Sequence, residues 1–232
     1  MRLAIMQPYF LPYIGYFQLM QAVDVFVIYD NIEFTKKGWI NRNRFLLNGK
    51  PETFSIPVKK SNDYLHVVER TISPEFKPQK MFARFEGAYK KAPFWKEHEE
   101  LIREVLGHAE TNLFEYIAHS VQSFSEVLAI KPKVIRSSQV DIDHDLKGQD
   151  KVLAICKALE AKTYINTSGG VELYDRSAFA EQSIELQFIR STPFEYEQFN
   201  HAFVPWLSVL DLLMFLPTET VCDHVQTQYE IF

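Results

Sequence analysis

The sequence predicts an α/β fold with a mainly parallel sheet, an N-terminal β-hairpin and a helical insertion at about 76–130. Three observations carry this. Short apolar runs alternate with amphipathic stretches at both ends of the chain, the order expected of parallel strands joined by crossover helices. Asn48-Gly49 divides two extended runs, and both residues tolerate the positive φ that a two-residue hairpin turn needs. Between them and the second alternating region, the apolar period lengthens to that of a helix.

The first element is the apolar run Leu3 to Met6. It enters a loop, Gln7-Pro8-Tyr9-Phe10-Leu11-Pro12-Tyr13, stiffened by two prolines. Gly15 opens the amphipathic stretch Tyr16 to Ala22, and Val25 to Ile28 follows as a second strand. Residues 39–47 and 53–59 are expected to pair across Asn48-Gly49, with Val67 to Ile72 a candidate third strand. Phe76, Met81, Phe82, Phe85 and Tyr89 begin the helical pattern, which Pro93 and the Gly107 region cut into about three helices. After Pro132 the alternation returns: a strand at Val134 to Ser138, a helix at Gln149 to Glu160, a strand at Lys162 to Asn166. A helix near 175–182, a strand at Ile184 to Ile189 and a helical tail from about 206 complete a single Rossmann-like domain over 1–232.

The 232 residues, with 19 Phe and 11 Tyr, supply ample bulk for one core. A net charge of −5 and a pI near 5.8 argue against nucleic acid as a partner. Cys156 and Cys222 match no metal spacing and form no disulfide framework, and Cys156 reads as a buried helix thiol. Arg2 is followed by only four apolar residues, too few for an export signal. Phe203 to Leu216 is too short for membrane insertion. A cytoplasmic setting is expected.

Three constellations could carry chemistry. Gln7, Tyr13, Gly15 and Tyr16 stand where a strand ends and a helix begins, a place suited to ligands and to anions in particular. On an extended strand Arg42 and Arg44 share one face and Trp39, Asn41 and Asn43 the other. Paired guanidiniums suit phosphate or carboxylate, while Trp39 and the amides suit a sugar or base; alternatively the cations guard an edge strand. Asn166 to Gly170 ends a later strand with a glycine pair, Gly169-Gly170, at the same carboxyl edge as Gln7. Asp141, Asp143, His144 and Asp145 read as a solvated loop, and no metal site is expected. His201 introduces the final apolar stretch, in which Asp211 either needs a partner to stay charged, such as a cation from the site, or faces solvent on an amphipathic helix. No P-loop, Gly-x-Gly-x-x-Gly or zinc-ligand spacing occurs.

Tyr13-Ile14-Gly15-Tyr16 bears a faint resemblance to the His-x-Gly-His loop of nucleotidylyltransferase-like folds, but both histidines are missing. Only topology could be shared. A closer resemblance runs over nearly the whole chain. It is carried by Ile5 to Phe17, Gly38-Trp39-Ile40-Asn41-Arg42-Asn43-Arg44, Arg136-Ser137-Ser138, Tyr164 to Tyr174 and Phe203 to Leu213. In these the chain resembles the WbqC-like family of bacterial proteins. Where family members often have His, this chain has Asn200, with His201 following.

The resemblance implies an accessory enzyme of surface polysaccharide or O-antigen biosynthesis acting on a nucleotide-linked sugar. The expected reaction is amide formation on an amino sugar, with an activated acyl or aminoacyl donor. Arg42, Arg44 and Lys37 would hold the diphosphate or the donor's carboxylate. Gln7, Asn41 and Asn166 would orient the sugar or polarise the carbonyl, near Gly169 and Gly170. Tyr9, Tyr13, Tyr16 and Trp39 would stack on sugar or base. His201, Asp211 and Tyr13 are the candidate catalytic bases. Two other readings stay open: a non-catalytic nucleotide-sugar binding module, and an ATP-dependent ligase.

Overall fold

A computed structural model describes residues 1–232. Its main sheet has six strands in the order β5-β2-β1-β6-β7-β8. These are β1 (Arg2–Met6), β2 (Val25–Ile28), β5 (Lys133–Arg136), β6 (Thr163–Thr167), β7 (Glu185–Ser191) and β8 (Tyr229–Ile231). All neighbours run parallel except β7 and β8. The hairpin, β3 (Arg42–Leu47) and β4 (Lys50–Ser55), forms a separate two-stranded sheet. Its turn places Asn48 at φ 51° and Gly49 at φ 72°, as the Asn-Gly pair requires.

Both faces of the main sheet are covered, and side chains divide between them with the strand period of two. Ala4, Phe26 and Ile28 join a core of 48 buried residues, whereas Leu3, Ile5, Val25 and Val27 join a core of 14 on the other face. The thicker side holds α1 (Ile14–Gln21), the inner hairpin residues Phe45 and Phe54, and α2 (Pro78–Tyr89), α3 (Trp95–Gly107) and α4 (Leu113–Val127). The predicted helical insertion therefore packs into the principal core. The last helices, α7 (Val209–Phe215) and α8 (Thr218–Thr227), join the same side. The thinner side holds α5 (Gly148–Ala158) and α6 (Arg176–Glu181).

Helix α1 is buried from Ile14 to Met20, including Gln18. The Gln18 amide donates to the His224 and Gln228 carbonyls at 3.0 and 2.8 Å and accepts from Ser191 Oγ at 2.5 Å. These bonds satisfy a buried polar group while closing the end of α8.

Two expectations are corrected. Val67–Glu69 is a single 3₁₀ turn, and Thr71 and Ile72 make only isolated bridges to Asn112 and Val58. The helical tail ends in β8, which closes the β7 edge antiparallel. No helix is long and apolar enough to cross a membrane.

The connections position the site. From β1 the chain moves to β2 on one side, whereas the strand after β5 is placed on the other side of β1. Beyond the carboxyl ends of β1 and β6 the loops diverge, opening the crevice where doubly wound sheets hold ligands.

Candidate functional site

A cleft of about 960 Å³ occupies that crevice. Gln7 enters it after β1, Tyr29 and Asn31 after β2, and Asn166, Gly169 and Gly170 at the end of β6. Its opposite wall carries His144 and Lys147, with Lys151 from the first turn of α5, and His66 joins from the segment after the hairpin. Cations, aromatic hydroxyls and amides therefore meet in one cavity, among apolar side chains such as Ile5, Ile32 and Leu173.

Asn166 is buried, and its Oδ1 accepts the Thr167 N–H at 2.7 Å. A Cβ on Gly170 would stand 2.7 Å from Asn166 Nδ2, whereas one on Gly169 would meet nothing within 4 Å. Gly170 is thus required for Asn166 to keep its place. Lys151 is buried; its Nζ donates to the His144 carbonyl at 3.0 Å and lies 5.3 Å from the Tyr29 ring centre. Burial lowers the Lys151 pKa, opposed by Asp145, Asp30 and Asp143. Burial, aided by the neighbouring Tyr174, pushes the Tyr29 hydroxyl up to about 12. The Tyr29 hydroxyl therefore keeps its proton at neutral pH.

Behind the cleft, buried Asp30 accepts from Ser137 Oγ (2.8 Å), the Ser138 N–H (2.9 Å) and Ser138 Oγ (2.5 Å). This ties the end of β2 to the end of β5. Asn31 extends the network, reaching His144 Nδ1 at 2.9 Å. No three His, Cys, Asp or Glu side chains converge closely enough to hold a metal ion.

Of the opening turn only Gln7 lines this cleft, where it meets the diglycine bend; Tyr9, Tyr13, Gly15 and Tyr16 lie outside its lining, and the double-arginine ribbon does not line it either. Trp39 precedes β3, and its ring folds onto the arginine face: the Arg42 and Arg44 guanidiniums lie 5.2 and 5.5 Å from its centre. The expected separation of Trp39 from the arginines is therefore corrected. Arg42 donates to the Lys37 carbonyl, and Arg44 to the Trp206 carbonyl at 3.1 Å. Lys37 is exposed. Asn41 and Asn43 are taken up by backbone bonds, to Ile56 O at 2.7 Å and Leu11 O at 2.5 Å.

Tyr9 links the two regions, its ring 6.5 Å from Trp39 and 6.2 Å from Tyr16, whose hydroxyl donates to the Gln7 carbonyl at 3.2 Å. Burial raises the Tyr9, Tyr13 and Tyr16 pKa values, with Arg44 and Arg42 opposing the rise at Tyr9. Tyr13 covers the first turn of α1: a Cβ on Gly15 would stand 2.6 Å from its Cζ. The ring also packs edge-on against the exposed Trp206, 6.1 Å away.

Asp211 is wholly enclosed. It accepts from Tyr89 Oη (2.7 Å), Tyr196 Oη (2.6 Å) and Gln198 Nε2 (2.7 Å), so its partners are neutral donors and not the expected cation. Burial outweighs these donors and raises its carboxyl pKa. His201 is exposed and lies against the hairpin turn, where a Cβ on Gly49 would stand 2.7 Å from its Cγ. Neither residue lines the cleft. Cys156 is buried, its thiol pushed up to about 12 by desolvation.

Sequence reasoning missed Tyr29, Asn31, His66, His144 and Lys151. A usable signal existed for two of them: Tyr29 and Asn31 immediately follow a strand whose parallel neighbour delivers Gln7. His144 was hidden in an acidic loop, and Lys151 in a helix that is otherwise apolar on its inner face.

A mainly parallel sheet with helices on both faces and a cleft at its switch point places the chain among doubly wound α/β proteins. The chain belongs to the WbqC-like protein family, whose profile matches residues 7–222. It is also similar to the uncharacterized protein Rv1507c of Mycobacterium tuberculosis (strain ATCC 25618 / H37Rv), with 26% identity over 216 residues, 91% of this chain and 92% of that one. No solved structure matches the chain.

Proposed function

We propose that the switch-point cleft binds a nucleotide-linked amino sugar and that the protein is a transferase forming an amide on that sugar during O-antigen or related surface-polysaccharide synthesis. The observation that carries this reading is the composition of the cleft. Lys147 and Lys151 offer charge to a diphosphate, Tyr29 and Tyr174 offer faces to a base or sugar ring, and Gln7, Asn31 and Asn166 offer donors and acceptors to hydroxyls. At about 960 Å³ the cavity lies at the upper end of the usual range for ligand sites, as a nucleotide sugar requires.

In the reaction the sugar's free amine attacks the carbonyl carbon of an activated acyl or aminoacyl donor. The new C–N bond forms as the bond to the leaving group breaks, the leaving group keeps the electron pair, and a base takes the amine proton. The adjoining face of Trp39, Arg42 and Arg44 suits a donor carrying a carboxylate. A binding module without chemistry is the second reading. The enclosed Asp211 and the high pKa of Cys156 favour it, because neither can act on a ligand in the cleft.

Purified protein incubated with nucleotide-linked amino sugars and acyl thioesters is expected to yield an amide product by mass spectrometry. Thermal stabilisation by the nucleotide sugar without turnover would support the binding module. Absence of both would overturn the assignment of this ligand class.

A further inference from the structure

The hydrogen bonds behind the cleft admit one consistent placing of protons, and it ends at His144. The fully buried Ser137 hydroxyl stands 2.8 Å from Asp30 Oδ1 and 2.6 Å from Asn31 Oδ1. A hydroxyl has one proton to give. An ionised carboxylate is the stronger acceptor, since bonds to charged partners are roughly twice as strong as neutral ones. With the proton on the Asp30 side, the Ser137 and Asn31 oxygens would face each other across 2.6 Å with nothing between them.

Turning the Asn31 amide by half a rotation removes this conflict. Amide nitrogen and oxygen have nearly the same shape, so the network decides between them. The amide nitrogen then donates to Ser137 Oγ, and the amide oxygen faces His144 Nδ1 across the 2.9 Å contact. Nδ1 must carry the hydrogen. Lys151, bonded at 3.0 Å to the His144 carbonyl, anchors the loop that presents the ring.

We infer that Asp30, Ser137 and Asn31 hold His144 in its Nδ1–H tautomer, leaving Nε2 as an unprotonated proton acceptor on a ring that lines the cleft. His144 is the base in this arrangement, and the other three are positioning residues. A substrate ammonium or hydroxyl gives its proton to the Nε2 lone pair, and the ring becomes an imidazolium with Nδ1–H still on Asn31. No second proton moves. The identity of the proton donor, an amino sugar, rests on the proposed function; the tautomer does not.

The test is a long-range proton–nitrogen correlation spectrum of the full-length, nitrogen-15-labelled protein at a pH where the ring is neutral. Loss of signals in His144→Gln assigns the ring. Nδ1 is expected in the pyrrole-type region and Nε2 in the pyridine-type region, opposite to the tautomer free histidine prefers. Asn31→Leu should move His144 toward the free-histidine pattern, as should Ser137→Ala, with thermal melts confirming that each variant is folded. An Nε2–H tautomer in the unmodified protein, or an unchanged one in Asn31→Leu, would overturn the assignment. If no substrate turns over but the tautomer pattern holds, the proposed reaction fails and the proton arrangement stands. If product forms, His144→Gln should lower its rate at least 100-fold, the lower bound for general-base catalysis; an unchanged rate would overturn the role as base.

Discussion

Asp211 shows what a buried carboxylate demands. Three neutral donors converge on it from Tyr89, Tyr196 and Gln198, and removing it would strand all three inside the core. Asp211→Ala is therefore expected to destabilise the protein by about 3–5 kcal/mol, the range for leaving buried partners unmatched. Urea titration measures this, and a loss under 1 kcal/mol would show that the donors find other acceptors. The pH dependence has a definite sign. Burial raises the folded carboxyl pKa above its ordinary value, so the proton is held more tightly in the folded state. The associated stability is fully present below the ordinary carboxylate pKa and is lost as pH rises through the folded one. Asp211→Asn, which cannot titrate, should show a flatter stability profile across that window.

At the scale of an element, the bend after β6 explains why two adjacent glycines have different jobs. Gly170 lies against Asn166, while Gly169 faces open space. Neither has a positive φ, so space alone separates them. Gly170→Ala should push the Asn166 amide aside and weaken binding of a nucleotide-linked amino sugar about tenfold, or 1.4 kcal/mol. Gly169→Ala should be neutral, or stabilising by up to about 1 kcal/mol through the unfolded chain. Calorimetry reads the affinities, and the Asn166 side-chain amide resonance reads the displacement without any ligand. Equal effects from both substitutions would remove Asn166 from the argument.

For the whole molecule, the diphosphate of the proposed ligand has two candidate surfaces: the switch-point cleft with Lys151, and the hairpin face with Arg42 and Arg44. Tyr9 and Tyr16 join them. Lys151 is desolvated, so Lys151→Met removes an unfavourable burial and should leave the melting temperature unchanged or higher. The same change should reduce nucleotide-sugar affinity tenfold or more and lessen its salt dependence. Arg42→Ala should cost less than threefold. The opposite ranking in calorimetry would place the diphosphate on the hairpin face.

Much of the fold was legible because its signals are local. Asn48-Gly49 dictates its turn through the φ values it tolerates, and the change of apolar period at about 76 marks the helices wherever they pack. Strand β8 escaped because three residues carry no period, and it exists only by pairing with β7. The site was half legible. Gln7 and Asn166 could be placed at the carboxyl edge from strand order, since parallel strands bring their ends to the same side.

By itself, then, the sequence determined an alternating α/β chain, its hairpin and helical segment, and the shared carboxyl edge of Gln7 and Asn166. Tertiary structure alone decided that Trp39 folds onto the arginines, that Asp211 is enclosed by neutral donors, and that Asn31 meets His144 across 113 positions of chain. The physical reason is range. Period and turn chemistry act over a few residues, whereas side-chain direction and charge environment depend on elements that only the packed sheet brings together.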